Sequence, residues 1–456
     1  MRDILVVSIV VLGALIALRR PWIGVMLWTW VSVMNPHRYC WGFAVDAPLG
    51  MMSALATLIG FLFAKNERDS PFKGAPAVMF GLWMVWITLS WQFGKDPEYD
   101  YLQWDKVMKI NLMVLVALCL LRTKQHIFAL VWVCALALGV LGAKGGVFTI
   151  MTGGGHRVMG PDGSFIGDNN AFALALIMTI PLLRFLQMQL HDRWAKHGMT
   201  LFIVLVAAAA LGSHSRGALV AIAAMTLLLW WRGNKRFGPG VVILLVGVAL
   251  LAFMPENWTA RMSTINDAEQ DQSVQGRFSA WWVAWRLAFD YPFGVGFSAA
   301  RPELFVEYSP YGLSIGTPTA HSIYFQALGH HGFVGLFLFL GMFVTTYYCC
   351  WRIRVETRNI PQAKWCADLA GMCQVSLIGY ATGGAFLSLI YFDLPYNVMV
   401  MAVLARAWVK TRAWEREPVY KPGWRTLPGL APPPGSTALP PATKPGPARN
   451  PSPKAT

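Results

Sequence analysis

The sequence predicts an all-α polytopic integral membrane protein, and two observations support this prediction. First, 55% of the 456 residues are hydrophobic and 13% are charged, whereas about a quarter of the residues in a soluble domain are charged. Second, apolar runs of about 15 to 20 residues recur along the chain, and each is roughly long enough to cross a hydrocarbon core of about 30 Å. We therefore expect a helical bundle of about twelve to thirteen spans, with one large external loop that contains an amphipathic helix.

The predicted spans are the apolar runs at residues 4–18, 21–35, 49–64, 75–92, 107–121, 126–143, 170–187, 198–213, 217–231, 239–254, 322–349, 369–391 and 395–409. No small-residue cleavage site follows the first run, so we expect a span there and not a signal peptide. The first two runs are short and share a hinge at Pro21. They form either two spans, with the N-terminus outside, or one broken element, with the N-terminus inside.

The loops between the spans alternate between two kinds. One kind is short and rich in Lys and Arg, which are retained on the cytoplasmic side of a membrane. The other kind is longer and richer in Gly, Pro and acidic residues, and we place it outside: residues 36–48, 93–106, 144–169, 213–216 and 255–320. This topology explains the net charge of +15. We expect no nucleic acid partner, because no basic stretch is interleaved with stacking aromatic residues.

Three regions follow from these patterns. Residues 1–160 form N-terminal membrane helices, and residues 161–410 form a membrane core that contains the large loop 255–320. Residues 411–456 form a cytoplasmic tail, which is rich in Pro, Gly, Ala and Ser after Pro418 and is predicted to be disordered. Within the large loop, aromatic residues at helical spacing predict a helix that either lies on the membrane surface or packs on the ends of the spans.

Three residues near the predicted outer boundary of the membrane are candidates for chemistry. Arg216 follows Ser213-His214-Ser215 in a tight connection, Arg277 begins the aromatic helix, and His321 opens a span. Arg binds phosphate oxygens in a planar, bidentate way. A histidine near a helix start is disfavoured in its charged form, and a neutral imidazole is what a general base needs. The alternatives are an interfacial anchor for either arginine and a satisfied helix-terminal residue for His321.

A second group of residues is predicted to bind substrate. Lys144 lies between glycines that let backbone amides approach an anion. Asn169, in Asp168-Asn169-Asn170, has either a site role or a role in a helix cap. The remaining candidates are Arg157, Arg301 and Tyr324. No spacing typical of a zinc site or a nucleotide-binding motif is present, so we predict no metal and no cofactor.

In its order of motifs, the chain resembles the O-antigen ligase and polymerase superfamily. The motifs that carry this resemblance are Ser215-Arg216-Gly217, Gly276-Arg277 with Trp281, Pro292-Phe293-Gly294-Val295-Gly296, His321-Ser322 with Tyr324, and Gly332-Phe333-Val334-Gly335. Ser322 departs from the pattern, because the superfamily often has Asn after the histidine. The N-terminal part also resembles the exosortase-associated O-glycosylation ligase branch, through Asn35-Pro36-His37-Arg38, Lys144-Gly145-Gly146 and Asp168-Asn169-Asn170.

The resemblance implies a metal-independent, inverting glycosyltransferase in the bacterial inner membrane. Its donor would be a glycan on undecaprenyl pyrophosphate, and its acceptor would be a hydroxyl of lipid A-core or of a protein, reached from the periplasmic face among membrane lipids. Arg216 and Arg277 would then hold the pyrophosphate, and His321 would activate the acceptor. Two alternatives remain: a polymerase of the same superfamily, and a flippase or other transporter without chemistry.

Overall fold

The computed structural model describes residues 1–232, 272–416, 419–420 and 438–439. The predicted span 239–254, Arg261 and most of the predicted tail lie outside the described residues. The α-helices of the described part are α1 (Arg2–Arg19), α2 (Pro21–Met34), α3 (Leu49–Phe63), α4 (Ala75–Gln92), α5 (Pro97–Leu120), α6 (Lys124–Met151), α7 (Asn169–Gln189), α8 (Arg193–Gly212), α9 (Arg216–Arg232), α10 (Gln272–Asp290), α11 (Pro302–Tyr308), α12 (Ile323–Glu356), α13 (Lys364–Gly383) and α14 (Asp393–Lys410). Two residue pairs, β1 (Val419–Tyr420) and β2 (Ala438–Leu439), are antiparallel.

The predicted fold class is confirmed: the chain is an all-α polytopic membrane protein. Within the described residues, four helices are both long and apolar enough to cross a membrane, namely α6, α7, α8 and α12. Shorter apolar helices are α2, α3 and residues 216–228 of α9. The total number of spans stays a prediction.

The first two apolar runs form separate helices that pack on each other and on α3. The carboxylate of Asp3 accepts hydrogen bonds from the backbone N–H groups of Gly42 and Ala44, at 2.9 and 3.2 Å. The start of α1 therefore lies at the same end of the bundle as the loop after α2. This geometry favours two separate spans, and the side on which the N-terminus lies stays a prediction.

Helix α6 is longer than predicted, because it continues through the glycines of the Lys144 region to Met151. These glycines let α8 approach α6 closely: a Cβ on Gly146 would collide with the carbonyl oxygen of Leu205, and one on Gly145 would lie 3.1 Å from the Cβ of Ala209. Such small residues favour helix packing inside membranes, where close van der Waals contact stabilises association. The prediction that an external loop begins at residue 144 is therefore wrong, and the backbone amides beside Lys144 belong to a helix and are not free to approach an anion. A binding role of the Lys144 side chain stays a prediction.

Helix α10 has two apolar faces. Ala280, Val283 and Leu287 are buried, and the helix packs against α12 and α11. The large aromatic residues Phe278, Trp282, Trp285 and Phe289 are exposed on the other face. The sequence left two alternatives for this helix, packing on the ends of the spans or lying on the membrane surface. The face with the small residues packs on the bundle, and the exposed aromatic face is typical of a helix at a membrane surface.

The segment that follows α10, at residues 291–297, packs against a break in the helical geometry of α12. Gly332 has φ 66° and ψ −171° inside α12, a conformation that favours glycine. The backbone N–H of Gly296 donates to the carbonyl of His330 at 3.0 Å, and the N–H of Phe297 donates to the buried carboxylate of Asp100 at 2.7 Å. The two glycine motifs at 292–296 and 332–335 thus hold the loop in place.

Candidate functional site

The connection between α8 and α9 is a tight turn held by three backbone contacts. The side-chain amide of Asn169 donates to the carbonyl of Ser213 at 2.7 Å, and the N–H of Val158 donates to the carbonyl of Gly212 at 3.1 Å. A ring nitrogen of the buried His214 lies 2.9 Å from the carbonyl oxygen of Gly154. His214 has φ 58°, which is uncommon outside glycine and tends to occur at functional sites.

Arg216 is the first residue of α9 and is half-buried. The N–H of Ala218 donates to the hydroxyl of Ser215 at 3.3 Å, which satisfies one of the free N–H groups at the helix start. The positive end of the α9 dipole adds to the guanidinium charge. The start of α9 is therefore suited to an anionic group such as a phosphate.

Arg277 lies in the first part of α10 and is half-buried. The preceding Gly276 lies against Pro318, which is 3.5 Å from where a Cβ would stand. One turn further along, the indole N–H of Trp281 donates to the carbonyl of Ala320 at 2.7 Å. The Trp281 ring also stacks on Phe325, with ring centres 4.9 Å apart. These contacts fix α10 to the segment that leads into α12.

His321 follows Ala320 directly and lies two residues before the start of α12. Its backbone has φ 42° and its side chain is exposed. Partial burial and the Arg277 guanidinium lower the pKa of His321, and the Asp168 carboxylate partly opposes this effect. A lowered pKa favours the neutral imidazole, in which a ring nitrogen can accept a proton.

Packing contacts bring the start of α9 close to the start of α12. Gly217 lies against Phe386: a Cβ placed on Gly217 would be 3.5 Å from the Cβ of Phe386. In the same short segment, Gly384 lies against the side chain of Ile323. Together with the charge effects of Arg277 and Asp168 on His321, these contacts place Arg216, Arg277 and His321 at one end of the bundle, which we call the His321 end.

The other predicted binding residues are divided between this end and the scaffold. Arg157 is exposed and adjoins Val158, which is bonded to the turn before Arg216. The hydroxyl of Tyr324 donates to the carbonyl of Ala381 at 2.7 Å. The Nζ of Lys144 lies 5.2 Å from the ring centre of Tyr39, so this lysine faces the loop after α2. Asn169 fixes the turn, and Asp168 caps α7.

Arg301 has a structural role. It is 5% exposed, and its guanidinium lies 3.0 Å from the carboxylate of Asp100 and 3.5 Å from that of Asp96. It also lies 4.6 Å from the ring centre of Tyr99. A guanidinium occupied in this way is not available to a substrate, so we leave Arg301 out of the proposed site.

Sequence reasoning missed three residues that shape the site. The motif Asp168-Asn169-Asn170 predicts either a cap or a site role, but it does not indicate that the Asp168 charge reaches His321 across 153 positions of the chain (321 − 168). His214 and Trp281 were noted as parts of motifs, without their roles in holding the turn and the segment before His321. Among the described residues, no group of three His, Cys, Asp or Glu side chains is arranged to hold a metal ion. The predicted independence of metals stays a prediction.

The fold and the site define a polytopic membrane protein with two arginines and a neutral histidine gathered at one end of its helices. Comparison with protein families agrees with this class. The model of the O-antigen ligase family matches residues 201–340, so this part of the chain is similar to the O-antigen ligase family. A family of unknown function, DUF5935, matches residues 1–191. A search of curated proteins finds no match.

The match covers all three central candidates, Arg216, Arg277 and His321. It supports a membrane enzyme that resembles glycosyltransferases of the ligase and polymerase kind, and it implies in general a lipid-linked glycan and an acceptor as substrates. The resemblance to the exosortase-associated branch stays a prediction.

Proposed function

We propose that this protein transfers a glycan from undecaprenyl pyrophosphate to an acceptor hydroxyl, with the His321 end facing the periplasm from the inner membrane. The observation that supports this proposal is that Arg216, Arg277 and His321 lie at one end of the bundle, where the Arg277 charge lowers the pKa of His321. The acceptor is lipid A-core or a protein hydroxyl, and the experiment below distinguishes them.

The chemical step is a single displacement at the anomeric carbon. The acceptor oxygen forms a bond to that carbon while the bond from the carbon to the pyrophosphate oxygen breaks. The lipid pyrophosphate leaves with the electron pair, and the acceptor proton passes to a ring nitrogen of His321. This path inverts the anomeric centre. General base catalysis of this kind contributes about 10²- to 10⁴-fold in rate.

The two arginines neutralise the charge that develops on the leaving group. Each guanidinium presents paired N–H donors that match the geometry of phosphate oxygens. The start of α9 adds its dipole at the same place. Because these groups are positioned before the reaction, they stabilise the transition state without reorganisation. The protein thus supplies the cationic charge that the leaving pyrophosphate requires.

The exposed aromatic face of α10 supports a location of this chemistry at the membrane surface. Indole rings favour the boundary between lipid and water. Trp282 and Trp285 lie on the same helix as Arg277. If these rings lie in the headgroup region, Arg277 lies at the depth where the pyrophosphate of a lipid-linked donor meets water.

The test is a gene deletion in the native host, followed by gels of lipopolysaccharide and of glycoproteins. We would complement it with the wild type, with His321→Ala and with His156→Ala as the matched control, since His156 is an exposed histidine in the loop before α7. We expect lipid-linked glycan to accumulate in the deletion strain. Wild type and His156→Ala should restore transfer, and His321→Ala should not.

The gel patterns also separate the alternatives. Loss of the lipopolysaccharide ladder identifies lipid A-core as the acceptor, and loss of glycoprotein bands identifies a protein. A ladder shortened to one repeat would replace the proposed ligase with a polymerase. Full rescue by His321→Ala would contradict the catalytic assignment and favour a transporter.

A further inference from the structure

A polar cavity lies apart from Arg216, Arg277 and His321, between the segment after α2, helix α5, the loop before α7 and the start of α14. Its volume is about 220 Å³, which is the space of roughly seven water molecules at about 30 Å³ each. Polar walls are provided by Arg38, Lys106, Ser164 and Asp393. We call it the Arg38 cavity. A space of this size holds one sugar ring with its hydroxyls and is too small for a drug-sized ligand.

Two cations, Arg38 and Lys106, and one carboxylate, that of Asp393, line the cavity, so its charges together favour an anion. The guanidinium of Arg38 lies over Gly163, with its carbon 3.4 Å from where a Cβ would stand. The Nζ of Lys106 lies 4.1 Å from the ring centre of Phe165, so both cations are held against the same loop. Helix α14 begins at the cavity without a side-chain cap, and the positive end of its dipole adds to the two cations.

The cavity also presents hydrogen-bonding atoms that the protein leaves unused. Asp393 is 3% exposed, and one of its carboxylate oxygens accepts the hydroxyl proton of Ser32. Its other oxygen, Oδ1, has no hydrogen-bond partner, and neither has Nδ1 of His37. Buried polar atoms are nearly always paired, and an unpaired carboxylate oxygen is costly. A hydroxyl group in the cavity would provide the missing donor.

The loop that lines the cavity leads to Asp168, whose charge acts on the proposed base His321. Ser164, Phe165 and Ile166 line the cavity, and the loop closes where the N–H of Gly160 donates to the carbonyl of Gly167 at 3.0 Å. The next residue is Asp168, which acts on His321. A ligand in the cavity therefore lies on the same face of the protein as the reaction.

We propose that the Arg38 cavity is a subsite for a single sugar residue that carries an acidic group, such as a carboxylate. Arg38 and Lys106 bind the acidic group, and Asp393 accepts a hydroxyl. This inference rests on the proposed function, since the sugar is part of the glycan substrate. It assigns to the DUF5935 region a role in selecting glycans.

The test is a binding measurement that needs no turnover. Full-length protein in phosphatidylcholine nanodiscs is titrated with a methyl glucuronide, a methyl glucoside and inorganic phosphate, and binding is followed by saturation-transfer NMR. We expect saturable binding of the glucuronide, at least tenfold stronger than that of the glucoside. Glucoside binding of equal strength, or phosphate binding as strong as that of the glucuronide, overturns the proposal.

The variants locate the binding. Arg38→Gln and Lys106→Gln should each weaken glucuronide binding about tenfold, the loss expected for one charge-assisted hydrogen bond. Lys95→Gln is the matched control, since Lys95 is exposed near the start of α5 and does not line the cavity. Equal binding by all three variants overturns the assignment. Nanodiscs with phosphatidylglycerol should bind the glucuronide unchanged; loss of binding there would mean that a lipid headgroup occupies the cavity.

One further variant separates this inference from the proposed function. His321→Ala should bind the glucuronide as the wild type does, because His321 does not line the cavity. If the wild type transfers glycan and no glucuronide binds, the subsite is wrong and the glycosyltransferase remains. If the glucuronide binds and His321→Ala transfers glycan normally, the subsite remains and the proposed catalytic role fails.

Discussion

The indole N–H of Trp281 donates to the carbonyl oxygen of Ala320 at 2.7 Å, directly before His321 in the chain. This bond joins α10, which carries Arg277, to the segment that carries the proposed base. Arg277 and His321, which we propose to contact the substrate, are therefore held in position relative to each other by this hydrogen bond and by the stacking of Trp281 on Phe325.

Trp281→Phe should lower the rate of transfer about threefold to tenfold. The substitution keeps an aromatic ring against Phe325 and removes only the hydrogen bond, whose net contribution is about 0.5–1.5 kcal/mol. The control is Trp282→Phe, because Trp282 is exposed on the other face of α10. The check is the initial rate of transfer in membranes with matched protein levels. Equal rates for the two variants would contradict a positioning role for Trp281.

Arg277→Ala should lower turnover by about a hundredfold or more, the usual effect of removing one preorganised donor to a developing charge. Arg277→Lys should recover only part of this loss, because lysine cannot form the bidentate contact. The matched control is Arg286→Ala on the same helix, where the guanidinium lies 5.2 Å from the ring centre of Trp282. An equally large loss of activity in Arg286→Ala would contradict a specific role of Arg277, because removal of any positive charge from α10 would then have the same effect.

Asp168→Asn should shift the acid limb of the pH–rate profile to lower pH. The Asp168 carboxylate raises the pKa of His321, so its removal lowers that pKa and keeps the imidazole neutral in more acidic solution. Asn is also a good helix cap, so α7 should keep its start. The profile is measured over about pH 5 to 8, where histidine titrates.

Arg277→Gln provides the opposite sign in the same experiment. The Arg277 charge lowers the pKa of His321, so the residual activity of this variant should be lost at higher pH than that of the wild type. A shift of both variants in the same direction, or no shift in either, would contradict the role of His321 as the base.

Arg301→Ala should destabilise the protein and not act on the chemical step. Arg301 and Asp100 form an ion pair in which the side chains are 6% and 2% exposed, and breaking such a buried pair costs about 3–5 kcal/mol. We expect a lower unfolding temperature in detergent and less folded protein. Arg216→Ala should keep the wild-type unfolding temperature. A stable but inactive Arg301→Ala would return Arg301 to the substrate site.

Much of the architecture follows from local patterns in the sequence. Apolar runs predict the helices. The possible cap at Asp168 and the charged residues of the loops indicate where several of these helices begin. The predicted length of α6 was too short, because glycine is a poor helix former and the glycines near Lys144 suggested that the helix ends there. In the structure the helix continues through them, and the absence of a side chain at Gly146 lets α8 approach closely. Local patterns carry no information on such packing.

The site residues were predictable as types and positions, but their partners were not. Arg216 is the first residue of α9 and His321 lies two residues before α12, as the sequence predicts, whereas Arg277 lies inside α10, which already includes Gln272, and does not begin that helix. The pairing of Arg301 with Asp100 joins residues 201 positions apart, and nothing in the loop composition indicates it. For the same reason the effect of Asp168 on His321 appears only once the helices are packed.

The most direct test of the central claim is transfer by the purified protein itself. Lipid-linked glycan from the deletion strain is reconstituted with the wild type or His321→Ala, together with the acceptor found in the native host and a metal chelator. We predict that the wild type forms the new glycosidic bond and releases one undecaprenyl pyrophosphate for each glycan transferred. Folded His321→Ala should do neither above about one hundredth of the wild-type rate. Movement of the lipid-linked glycan across the membrane without bond formation, or full transfer by His321→Ala, would contradict the account.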